Sequence, residues 1–141
     1  MKVLKKTHLK VDGELKALDQ VLYHFNQINE PWIPKEDWLQ CRLALAEGFT
    51  NAVRHAHKEL SKQIPIEIEL ALGQKGLEIR IWDYGPPFDL DAFVANLCQK
   101  KVSLEEGGRG VEILQKIADQ LSYIRTDDHR NCLLIVKQFA I

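Results

Sequence analysis

The chain has 141 residues, 45% hydrophobic and 28% charged, with 19 basic against 20 acidic side chains for a net charge of −1. This length predicts one compact unit over residues 1–141 with a real core, and it excludes a mainly disordered chain or one that depends on disulfide or metal staples. The charge balance gives no general attraction to phosphate backbones or anionic lipid, and no basic patch replaces it, which argues against direct nucleic-acid binding.

No run of about 18 apolar residues is present. The opening Met1-Lys2-Val3-Leu4-Lys5-Lys6 leads into a charged alternating segment without the apolar stretch of a secretory signal, so the expected location is cytoplasmic, with no membrane partner. Cys41, Cys98 and Cys132 are widely spaced and contain no Cys-x-x-Cys pair, and they read as buried free thiols.

In chain order, residues 3–11 alternate as an opening strand, and Asp12-Gly13 ends it. Leu15, Leu18, Val21, Leu22, Phe25 and Ile28 then recur at helical spacing. Pro31 and Pro34 stop that helix. A second, long helix is predicted over 35–58, opened by Lys35-Glu36-Asp37. Trp32, Ile33 and Trp38, around the junction, are expected in the core.

From Ile64 the period becomes two. Ile64, Ile66, Ile68, Leu70 and Leu72 share one face of a strand, with Glu67 and Glu69 on the other. Gly73-Gln74-Lys75-Gly76 turns the chain into a second alternating run, Leu77, Ile79 and Ile81, so antiparallel pairing is expected. A short helix over 89–97 capped by Asp89 follows a Gly-Pro-Pro break. A polar stretch at 98–106 leads to Gly107-Gly108-Arg109-Gly110. Val111, Leu114, Ile117, Ala118 and Leu121 mark a last helix, and 121–126 and 132–139 two final strands. Helices segregated from a largely antiparallel sheet define an α+β two-layer sandwich, one sheet face covered by helices.

Three constellations carry chemistry. Glu47, Asn51 and His55, spaced four and four, form a polar row on the second helix. On spacing alone the row also fits a solvated helix face. As a site, it offers a carboxylate for base catalysis and an amide oxygen suited to Mg²⁺. In Asp83-Tyr84-Gly85-Pro86-Pro87-Phe88-Asp89, Asp83 continues the inward series Leu77, Ile79, Ile81, so its carboxylate points inside and needs donors, of which the amine of a bound base is one. Bracing of the turn is the alternative. Gly85 leaves room for a backbone to approach a flat ligand. Gly107-Gly108-Arg109-Gly110 places small residues and a cation at a helix start, which suits a polyphosphate as well as a plain flexible loop.

These segments resemble the motifs of the GHKL ATP-binding superfamily, which spans gyrase, the heat-shock chaperone, histidine kinases and MutL. Glu47 to Ala56 (Glu-Gly-Phe-Thr-Asn-Ala-Val-Arg-His-Ala) resembles its N box, Asp83 to Asp89 its first glycine box, and Gly108-Arg109-Gly110 its second. The forms Asn-Ala-x-x-His-Ala and Asp-x-Gly-x-Pro-Phe-Asp are similar to those of the bacterial anti-sigma factor serine/threonine kinases of the RsbW type, over nearly the whole chain. The resemblance implies a Bergerat-type fold and an ATP- and Mg²⁺-dependent protein kinase. Such a kinase binds a sigma factor, phosphorylates a STAS-domain anti-sigma factor antagonist and is compatible with a homodimer. It also implies Glu47 as catalytic base and Asn51 as the Mg²⁺ ligand. The implied nucleotide contacts are Asn51, His55, Asp83, Gly85, Phe88, Gly107, Gly108, Arg109 and Gly110.

Two positions depart from the resemblance. Glu106 stands where some members carry Arg, which bears on kinase rate. Asn131-Cys132 stands where Gly-Thr is frequent, and a thiol in place of a hydroxyl predicts weaker nucleotide binding. The alternatives are a nucleotide-sensitive binding module without turnover and the catalytic fragment of a histidine kinase. The latter is disfavoured because too few residues precede Glu47 for a dimerisation helix pair.

Overall fold

A computed structural model describes residues 2–98 and 108–141. Gly107 and Glu106 lie outside the described residues. The elements are β1 (Val3–Asp12), a 3-10 turn (Leu15–Ala17), α1 (Leu18–Gln27), α2 (Lys35–Asn51), a π turn (Ala52–Ala56), β2 (Pro65–Gly73), β3 (Gly76–Asp83), α3 (Leu90–Cys98), α4 (Gly108–Ile117), β4 (Gln120–Arg125) and β5 (Asn131–Gln138). The sheet runs β1-β2-β3-β5-β4, and every neighbouring pair is antiparallel. The expected two-layer α+β sandwich is the observed one.

Alternation in the strands builds the core. Ile66, Ile68, Leu70 and Leu72 of β2, Leu77, Ile79 and Ile81 of β3, and Leu133 and Ile135 of β5 are all buried on one face. Leu45 and Phe49 of α2 and Val21 and Phe25 of α1 lie against them, and the Phe25 and Trp38 rings stack at 4.0 Å. Side chains of this size contribute about 1.5–3 kcal/mol each when fully buried. Gly48 lets α2 settle on the sheet, because a Cβ there would lie 2.8 Å from Ile81 Cδ1. Ile33 and Trp38 are core residues as expected, whereas Trp32 is 41% exposed and meets Phe139 edge-on at its rim.

The opposite sheet face is mixed, with Glu67, Glu69 and Arg80 beside Trp82, Leu134 and Val136. Glu67 sits between His8 and Arg130, and although burial alone would raise its pKa, those two hydrogen bonds outweigh it and hold the carboxyl below its ordinary value. Cys41 is fully buried, and burial pushes its thiol up to about 12, so it is an inert core residue. Cys132 is only half-buried, on the outer face.

Three expected boundaries change. The first helix opens as a 3-10 turn, with Ala17 N–H bonded to Glu14 O. The second helix is α-helical only to Asn51. His57 N–H then reaches Ala52 O, five residues back, and this wider turn carries the His57 ring to the buried side that Ala52 also faces. The last helix stops at Ile117, because Asp119 N–H pairs with Val136 O and its carboxylate takes Gln138 N–H, so Leu121 belongs to β4 instead. No described helix is long and apolar enough to cross a membrane.

Candidate functional site

The site forms where the inward faces of β3, β5 and β4 run out of apolar residues. Register places Asn131 directly opposite Asp83 on one side and Arg125 on the other, so three polar side chains form a row across the sheet end. Asp83 is 2% exposed, as the alternation predicted. Its Oδ1 accepts from Gly85 N–H at 2.8 Å and from Asn131 Nδ2 at 2.9 Å, and its Oδ2 accepts from Tyr123 Oη–H at 2.5 Å. Arg125 Nη1 donates to Gly85 O at 2.9 Å and to Asn131 Oδ1, which fixes the amide so that its nitrogen faces Asp83.

Protein groups therefore supply the donors that the sequence reading sought in part from a ligand. Tyr123, Arg125 and the role of Asn131 were missed. The signal was present, because Leu121-Tyr123-Arg125 and Asn131-Leu133-Ile135 alternate as Leu77 to Asp83 do. The expected effect of Cys132 on the site is corrected by the same period of two. Asn131 faces inward, while Cys132 pairs with Trp82 on the outer face.

Gly85 packs closely against the end of the π turn. A Cβ there would lie 2.7 Å from Ala56 O and 2.9 Å from Ala56 Cα, so its missing side chain admits the end of the π turn. Asp89 caps α3 as expected, its Oδ1 accepting Ala92 N–H at 3.0 Å.

Asn51 and His55 line one partly open cavity of about 130 Å³ with Pro87, Phe88, Leu114 and Tyr123. Asn51 is half-buried, His55 exposed. Phe88 and Tyr123 meet edge to face at 5.9 Å and line both this cavity and a neighbouring open depression of about 750 Å³ bordered by Asp89, Arg125 and Asn131. This cavity is smaller than the ~300–1,000 Å³ of typical ligand sites and suits a base-sized group. Glu47, one turn before Asn51, is half-buried, and a Cβ on Gly110 would lie 3.0 Å from its Oε2. The first turn of α4 thus rests on an acidic side chain, the arrangement its dipole favours. Arg109 is exposed at the same helix start. Among the described residues no cluster of three or more His, Cys, Asp or Glu forms a metal cage. Glu47 and Asn51 nevertheless offer hard oxygen donors of the sort Mg²⁺ accepts when phosphates complete its shell.

Beneath the site, His57 is 3% exposed; its Nε2 accepts Tyr84 N–H at 2.8 Å and its Nδ1 has no partner among the described residues. Burial lowers its pKa below 6.5, against an opposing pull from Asp83. The unfolded chain therefore binds the extra proton first, so stability is full above about 6.5 and is lost as pH falls through the folded-state value. We expect urea midpoints to drop between pH 7.5 and 5, and His57→Asn, which cannot take the proton, to flatten that slope. An equal slope in both proteins would contradict this assignment.

Comparison with known proteins places this geometry. The family model for the histidine kinase-like ATPase domain matches residues 12–137. The serine-protein kinase RsbW of Bacillus subtilis (strain 168) is 28% identical over 103 residues, 70% of this chain and 62% of that protein. The serine-protein kinase RsbW of Staphylococcus epidermidis is 28% identical over 92 residues, 62% of this chain and 58% of that one. The chain thus spans about three fifths of the length of these relatives. Among solved structures, a chain from the crystal structure of the SiaB–SiaC complex of Pseudomonas aeruginosa aligns over 96% of this chain and 90% of its own, with a TM-score of 0.59 at 10% identity, a likeness of fold.

Proposed function

Because the chain belongs to the histidine kinase-like ATPase domain family, we propose that residues 1–141 act as one nucleotide-binding domain that takes Mg-ATP and phosphorylates a serine or threonine of a STAS-domain anti-sigma factor antagonist. In this reading the protein also captures a sigma factor in the bacterial cytoplasm, and phosphorylation of the antagonist governs that capture. One observation carries the proposal: side chains from α2, the segment after β3 and α4 share a single cavity, and Glu47 meets Gly110 one turn away. The similarity to RsbW supports the choice of hydroxyl acceptor.

In this mechanism Asp83 accepts the exocyclic amine of adenine at the sheet end. Phe88 walls the base, and His55 borders its cavity. The start of α4, with Gly108, Arg109 and Gly110, presents backbone N–H groups and a cation to the phosphates. Gly107 belongs to the same proposed phosphate-binding set. Asn51 holds Mg²⁺, which when bound neutralises phosphate charge. Glu47 orients the attacking hydroxyl and takes its proton. Since phosphoryl transfer is mainly positioning and charge stabilisation, this small set suffices.

The test is transfer of radiolabelled γ-phosphate from Mg-ATP to STAS-domain proteins encoded in the same genome. Label on a serine or threonine is the expected result. The three protein donors on Asp83 favour a second reading, in which nucleotide only tunes partner capture. Nucleotide-sensitive capture of a sigma factor without label transfer selects that reading over the first.

A further inference from the structure

The hydrogen bonds of Asp83 can be counted. Oδ1 carries two donors, Gly85 N–H and Asn131 Nδ2, and Oδ2 carries one, Tyr123 Oη–H. An ionised carboxylate offers about four acceptor positions, so with the donors of the described residues in place one remains, on Oδ2. Tyr123 is held in place: β4 pairs it with Leu133, and Phe88 packs edge-on against its ring at 5.9 Å. Burial, and after it the neighbouring Asp83 charge, raises its pKa well above the ordinary value, so the phenol keeps its proton. Tyr123 lines both the cavity and the depression, whereas Asp83 lines neither, so the Tyr123 hydroxyl stands between these spaces and Oδ2.

We propose that Tyr123 sets the purine preference of this cleft, adenine over guanine, by taking one of the two acceptor positions of Asp83 Oδ2. The inference rests on reading the cleft as a nucleotide site. Adenine presents one exocyclic amine beside a ring acceptor, and a single N–H directed at Oδ2 fills the remaining position. Guanine presents a ring N–H and an exocyclic amine side by side. Its second donor meets no acceptor, and a buried unpaired donor is what such a site rejects most strongly. Deleting the hydroxyl gives Oδ2 two open positions and removes that penalty.

The experiment is calorimetric titration of the full chain with ADP and with GDP, comparing wild type, Tyr123→Phe and Phe88→Leu. Wild type is expected to prefer ADP. In Tyr123→Phe the preference should fall by roughly tenfold, mainly through tighter GDP binding. Phe88→Leu alters the ring wall without altering the acceptor count, so it should weaken both ligands and leave their ratio unchanged. ADP binding with an unaltered ratio in Tyr123→Phe overturns the proposal and leaves the nucleotide reading standing. Wild type binding neither nucleotide overturns both. Should Tyr123→Phe fail to fold, the wild-type protein still decides the matter. N6-methyl-ADP, with one N–H, should bind, and N6,N6-dimethyl-ADP, with none, should not; equal binding of the two overturns the proposal.

Discussion

Asp83→Asn is expected to weaken Mg-ATP binding by a factor of about 100 or more while leaving the protein folded. The two effects separate because the three donors on Asp83 differ in what they can tolerate. If the new amide keeps its oxygen at the Oδ1 position, Gly85 N–H and Asn131 Nδ2 retain their acceptor. The amide nitrogen then faces Tyr123 Oη, whose hydroxyl can rotate from donor to acceptor. Stability falls by the difference between charged and neutral hydrogen bonds, about 1 kcal/mol. The base fares worse, since its amine meets a nitrogen donor where it requires an acceptor. Losing a charge-assisted bond and leaving a donor unpaired together cost about 3 kcal/mol, which is the hundredfold expected. Calorimetric titration with Mg-ATP alongside urea unfolding measures both quantities. Affinity within a few-fold of wild type would remove Asp83 from the base-binding role. Asp83→Ala, by contrast, strands three donors at once and is expected to destabilise the chain by several kcal/mol, which is why Asn is the informative substitution.

What the sequence disclosed about this region followed from local periodicity, and what it hid followed from strand pairing. The inward direction of Asp83 could be read from Leu77, Ile79 and Ile81, because side chains two apart share a face. The burial of those strands, the hairpin at Gly73–Gly76 and the cap at Asp89 were legible for the same local reason. That Asn131 and Tyr123 would meet Asp83 was not, since 48 and 40 residues separate them and only the order β3-β5-β4 brings them together. The packing of Gly85 was hidden similarly, because the atom a side chain there must avoid is Ala56 O, delivered by a π turn that helical spacing does not announce. Of the polar row, Asn51 and His55 line one cavity even though His55 lies past the end of regular α-helix, while Glu47 sits one turn earlier beside Gly110. A wider turn shifts which side chains point inward, and His57, absent from the sequence reading, is the residue it buries.

Glu47→Gln is expected to lower phosphoryl transfer by about 10²–10⁴ with Mg-ATP affinity kept or slightly raised. The substitution preserves the shape that fits beside Gly110, where a Cβ would come within 3.0 Å of Oε2, so α4 should dock as before. It removes the negative charge and the site that takes the proton. Both changes act on the transferring state: an amide still accepts a hydrogen bond from the attacking hydroxyl but cannot hold its proton as bond formation completes. In the ground state the opposite holds, because a carboxylate near a triphosphate repels it and the amide does not. A fall in rate without a fall in affinity therefore marks a group that acts in the transition state alone. Single-turnover transfer to the STAS-domain acceptor, with nucleotide binding measured in parallel, separates the two. Equal loss of binding and rate would make Glu47 a structural support for the start of α4. An unchanged rate would move the proton-accepting role to another residue of the cleft.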